Sequence, residues 1–97
     1  MNQLVISACI VEVGVLRFTP AQLPAFDLRL EHESQIEEAG QLRLVRAKLK
    51  AVAFGAMAER LKGQPIGSTW RFIGFLATPT RGVASVLHIQ DFTAPDD

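Results

Sequence analysis

The chain has 97 residues, 48% of them hydrophobic, with 10 Lys+Arg against 10 Asp+Glu, two histidines and one cysteine. That length fits a single domain over residues 1–97, and the apolar share is too high for a disordered chain. Zero net charge excludes a polyanionic chain and a histone-like polycation, and the lone Cys9 excludes an internal disulfide, as in a reducing compartment.

Residues 4–13 (LVISACIVEV) are rich in β-branched side chains and read as a strand mostly buried on both faces, with Cys9 an inert, buried thiol. Gly14 interrupts the continuing run Val15-Leu16-Arg17-Phe18 and marks a bulge or sharp bend. Pro20 and Pro24 place a loop next, because neither can donate to a strand ladder. Phe26, Leu28 and Leu30 then alternate with Asp27, Arg29 and Glu31, a second strand with one face in water. Residues 35–40 end in glycine and join it to the third strand.

That third strand, residues 42–54, is the most informative stretch. Val45, Ala47, Leu49, Ala51 and Ala53 are apolar, and Arg46, Lys48 and Lys50 alternate with them. A strand sets these three cations along one face, about 7 Å apart. A helix would scatter them around its axis. Residues 55–63 (GAMAERLKG) read as a short helix stopped by Gly63, with Arg60 and Lys62 complementing the dipole at its end. Residues 68–78 and 83–93 form a last pair of strands around the turn Pro79-Thr80-Arg81-Gly82. Three strands, a helix and two strands is the element order of the OB-fold. The expected class is therefore all-β: a five-stranded barrel with a short helix between the third and fourth strands.

Met1-Asn2-Gln3 carries no positive charge ahead of the apolar run, and no small-residue cleavage pattern follows it. No apolar stretch approaches the roughly 20 residues of a membrane helix. A soluble, cytoplasmic protein without membrane attachment is expected.

The zero total conceals segregation. Residues 1–42 hold two basic and six acidic residues, a balance of −4, whereas residues 43–90 hold eight basic residues and Glu59 alone, a balance of +7. Asp91, Asp96 and Asp97 contribute the remaining −3. A basic segment of this kind suits a polyanion partner. Equally, the two halves can fold together so that their charges pair.

Chemistry for catalysis is missing from the motifs. His32 and His88 are far apart, no CxxC, HExxH or phosphate-loop pattern occurs, and Glu37-Glu38 reads as a solvated turn. No metal site, cofactor or enzymatic activity is expected.

Leu30-Glu31-His32, Ser34, Glu37-Glu38-Ala39-Gly40 and Arg43, supported by residues 2–7, Leu23-Pro24, Gly67-Ser68, Gly74-Phe75 and Val86-Leu87-His88, together make a pattern that resembles the primosomal replication protein N (PriB) family. The resemblance runs nearly end to end. It implies an OB-fold homodimer that binds single-stranded DNA and bridges the restart helicase to other primosome proteins. It also implies basic contacts at Arg17 in the first loop and Arg43 on the third strand. Where the family can carry a stacking tryptophan on that strand this chain has Arg46, and its last hairpin carries one cation, Arg81.

Weight therefore shifts to Lys48 and Lys50. The expected nucleic-acid-binding set is Arg17, Arg43, Arg46, Lys48, Lys50 and Arg81, working by phosphate tracking with little sequence readout. Trp70 and Phe72 share a strand face and are either base-stacking platforms or barrel-interior aromatics. The alternative function is a protein-interaction adaptor on the same fold, with weak or no DNA binding.

Overall fold

The period-two alternation of apolar residues turns most of the chain into strand. The computed structural model describes residues 1–95; Asp96 and Asp97, counted above with the acidic tail, lie outside the described residues. In chain order the elements are β1 (Leu4–Val13), β2 (Arg17–Phe18), β3 (Pro24–Glu38), β4 (Gln41–Phe54), α1 (Ala56–Lys62), β5 (Thr69–Ala77) and β6 (Val86–Thr93). The long strands run β1-β5-β6-β4-β3 around the sheet, and β3 pairs back on β1. This closes a five-stranded barrel with one short helix, as the element order predicts. The two-residue β2 resumes the first strand's course beside β3, past the bend at Gly14. Neighbouring strands are antiparallel except β4 and β6, which run parallel at Ala51 with Leu87 and Val52 with His88.

One side chain in two points into the barrel. Ile10, Phe26, Leu28, Leu30, Phe72, Leu87, Ile89 and Phe92 form the core, and α1 adds Ala58 and Leu61. Gly55 and Gly63 bound this helix. Burial of these groups, at about 25 cal/mol per Å² of apolar surface, is what drives closure.

Two boundaries and one burial pattern differ from the sequence reading. The second strand does not give way to a loop at residue 35 but runs to Glu38, because its backbone stays paired with β4 from Ala25 opposite Phe54 to Glu38 opposite Gln41. Only Ala39 and Gly40 turn the chain, with φ of 54° and 79°, the positive pair that a two-residue hairpin of type I′ requires. The last strand starts at Val86, not at residue 83, since Pro79 to Gly82 closes its own turn and Val83 stands fully in solvent. Finally, β1 is not buried on both faces. Ala8 and Ile10 are buried, Val5 and Val11 are exposed, and Cys9 is half-buried, because no second layer covers the outer side of β1.

β1 is also shared between two neighbours. Residues 4–9 pair with β5, and from Cys9, opposite Glu31, the strand pairs with β3. Beyond that fork β3 and β4 have only each other and extend as a two-stranded arm. The molecule measures 50 × 29 × 23 Å.

Candidate nucleic-acid interface

Strand alternation decides which of the expected cations can act together. Arg46, Lys48 and Lys50 are exposed on β4 and separated by inward-turned Ala47 and Leu49, so all three stand on one side of the ribbon. Arg43 is an odd number of residues away and belongs to the opposite side, where it pairs with Glu38. Arg17 extends the face at its other end. Its Nε and Nη2 donate to the two carboxylate oxygens of Asp27 at 2.8 and 3.1 Å. The hydrogen bond that Asp27 accepts raises the guanidinium pKa above its ordinary value, desolvation opposes it, and the carboxylate charge adds a smaller rise. Arg81 lies apart, exposed in the loop between β5 and β6.

The opposing strand qualifies this picture. Register sets Arg29 across from Lys50, Glu31 across from Lys48, and Glu33 across from Arg46. Arg46 Nε is 3.3 Å from Glu33, and Arg29 Nε is 3.0 Å from Glu12. Among the described residues Lys48 and Lys50 are in no ion pair. The segregation of charge along the chain is thus partly folded away, because the hairpin brings the acidic first half against the basic second half. Over this face Arg17, Arg29, Arg46, Lys48 and Lys50 meet Glu12, Asp27, Glu31 and Glu33, leaving one net positive charge.

The face is not flat. A run of depressions follows it, one lined by Glu12, Arg29 and Lys50, the next by Glu31, Lys48 and Lys50 with Ala84 and Ser85 of the β5–β6 loop, the last by His32, Glu33 and Arg46. Arg29 and the loop wall at Ala84 and Ser85 were not anticipated. The alternation of the second strand placed Arg29 on the wet face and could have found it, whereas the loop's approach depends on the barrel's closure. His32 anchors the fork: its Nδ1 donates to the Ser7 carbonyl at 2.6 Å, and Nε2 lies 2.8 Å from the Ser34 hydroxyl.

The two aromatic candidates differ in burial. Phe72 is fully buried. Trp70 sets its ring edge-on to Phe92 at 5.1 Å and donates its indole N–H to Ser68 Oγ at 3.0 Å. Phe72 is thus wholly enclosed, whereas Trp70 is half-buried and packed against the core.

The family model described as "Another single-strand binding protein family" matches residues 2–91. The replication restart protein PriB of Bordetella pertussis is 44% identical over 91 residues, covering 93% of this chain and 85% of the relative. The chain belongs to the PriB replication-restart family. A solved structure of PriB from Ralstonia solanacearum superposes with a TM-score of 0.89 at 33% identity, covering 97% of each chain. The barrel is shared more widely. The wild-type single-stranded DNA binding protein from Thermus aquaticus superposes with a TM-score of 0.77 at 19% identity, over 99% of this chain and 50% of that one. At that identity the likeness concerns the fold.

Proposed function

We propose that this PriB-family chain binds single-stranded DNA with little base preference, as a non-enzymatic accessory of the replication-restart primosome in the cytoplasm. One observation carries the reading: the exposed row of Arg46, Lys48 and Lys50 on β4, which lines the depressions beside the β5–β6 loop. Lys48 and Lys50 meet phosphate directly, while Arg46, Arg17 and Arg43 must first release Glu33, Asp27 and Glu38. Arg81 reaches the strand from the loop, and Arg43 contacts it where it passes around the arm. Binding of this kind is driven by counter-ion release and carries no base readout.

The test is fluorescence anisotropy of a labelled single strand at low salt. The Lys48→Ala/Lys50→Ala double variant should bind at least tenfold more weakly than the parent chain. Equal affinity of the two would overturn the reading.

A second reading, an adaptor for the restart helicase and other primosome proteins, is favoured by the enclosure of Phe72 and the packing of Trp70 against the core, and by the carboxylates facing the basic row. An adaptor keeps its affinity for protein partners after Lys48 and Lys50 are neutralised.

The chain acts as a homodimer in this proposal. Residues 4–8 of β1 pair along one edge only, with β5, and Val5 on that strand is 46% exposed. An apolar strand with an open edge is a ready pairing surface for a second copy. Light scattering should give about twice the 10.6 kDa chain mass at micromolar concentration, and the monomer mass would refute it.

A further inference from the structure

The basic row faces a row of acids, and this arrangement has a functional meaning of its own. Glu31 and Glu33 are exposed on the same side of the ribbon as Lys48 and Arg46, directly across from them in register. Directly opposed residues on one sheet face stand about 5 Å apart. With Cβ atoms that near, a phosphate that reaches Lys48 or Arg46 also meets the field of the facing carboxylate. Arg46 is already engaged, its Nε 3.3 Å from Glu33, with the two side chains 72% and 60% exposed.

From this geometry we infer that Glu31 and Glu33 limit the strand affinity of the basic row. They compete with phosphate for Lys48 and Arg46 and then repel the strand once it is bound. The inference rests on the proposed DNA-binding reading and concerns the same face.

The carboxylates act at two stages. Before binding, the Arg46–Glu33 pair must open, and an exposed pair of this kind resists by only a modest amount. After binding, Glu33 is left beside a phosphate with no cation of its own, and Glu31 shares Lys48 with the strand. Binding is then an exchange of anions on a fixed set of cations, not a simple neutralisation. Such a face holds a strand loosely and releases it readily.

The experiment compares Glu31→Gln, Glu33→Gln and the double variant with the parent chain, by anisotropy of a labelled homopolymeric single strand at low salt. Each single variant should bind about three- to fivefold more tightly, and the double variant about tenfold or more. Glu59→Gln on α1 makes the same change in net charge away from the ribbon; compared at about 0.1 M salt, where the Debye length is about 10 Å, it should alter affinity less than about 1.5-fold. The gain of the ribbon variants should shrink as salt is added.

A double variant within twofold of the parent, or no tighter than Glu59→Gln accounts for, overturns the inference while leaving the lysine-based reading intact. Loss of affinity on Lys48→Ala/Lys50→Ala with no gain on the glutamine changes is that case. Binding by the double variant where the parent shows none supports the inference in its strongest form. No binding by any form overturns the inference together with the reading beneath it.

Discussion

Gly74 lies against the backbone of His88 so closely that a Cβ on it would stand 1.9 Å from the His88 carbonyl oxygen and 2.9 Å from the carbonyl carbon. The pairing of β5 with β6 shifts register at this point, between Ile73 and Gly74. Just beyond it the Phe75 ring stacks on the His88 ring at 4.8 Å. Neither obstructing atom belongs to a side chain that could rotate away. Gly74→Ala should therefore destabilise the barrel by about 3 kcal/mol, the upper part of the overpacking range. Chemical denaturation measures it, and a loss below about 1 kcal/mol would show that the two strands separate more easily than the packing implies.

The hairpin turn holds a residue unsuited to its backbone. Ala39 sits at φ 54° ahead of Gly40 at φ 79°. A left-handed conformation costs an alanine about 1 kcal/mol, a cost that asparagine largely avoids. Ala39→Asn should stabilise the chain by about 1 kcal/mol, raising the melting temperature by roughly 4–8 °C in a domain of this size. An unchanged or lowered melting temperature would contradict the turn geometry.

Salt dependence reports how many phosphates are held. For single strands the slope of log affinity against log salt is about −0.7 per phosphate neutralised. Lys50→Ala should reduce the slope's magnitude by about that amount and weaken binding to strands of different sequence to the same degree. Sequence-dependent loss would mean that Lys50 touches bases.

Trp70 is the only tryptophan, so its emission is specific. With the indole N–H given to Ser68 Oγ and the ring set against Phe92, addition of single-stranded DNA should leave intrinsic fluorescence nearly unchanged while labelled strand reports binding. Strong quenching would place a base on the indole and support the stacking role.

Much of the fold was legible because a barrel wall writes a simple pattern. The alternation from Val45 to Ala53 against Arg46, Lys48 and Lys50 marks β4, and Gly55 and Gly63 bracket α1. The far half of β3 was not legible. Glu33 to Glu38 shows no apolar alternation, because the arm has no core to face and its pairing is held by backbone bonds, the turn and the cross-strand ion pairs of Glu33 with Arg46 and Glu38 with Arg43. The orientation of β5 was ambiguous too: Trp70 and Phe72 fall on one side, Ile73 and Phe75 on the other, and both sets are apolar. The three cations of the candidate site share a face, as period-two spacing requires. Their acidic opposites could be found only from register, which depends on where the turn falls.

The fork at His32 has a mechanical consequence. Above it the arm is a cantilever of two strands, and below it β1 ties β3 into the closed wall. The side-chain tether at this root is one imidazole, reaching from Ser34 on the arm to the Ser7 carbonyl on β1. Bending of the arm is therefore focused at its root, where the imidazole and the pairing of Glu31 with Cys9 join it to the wall.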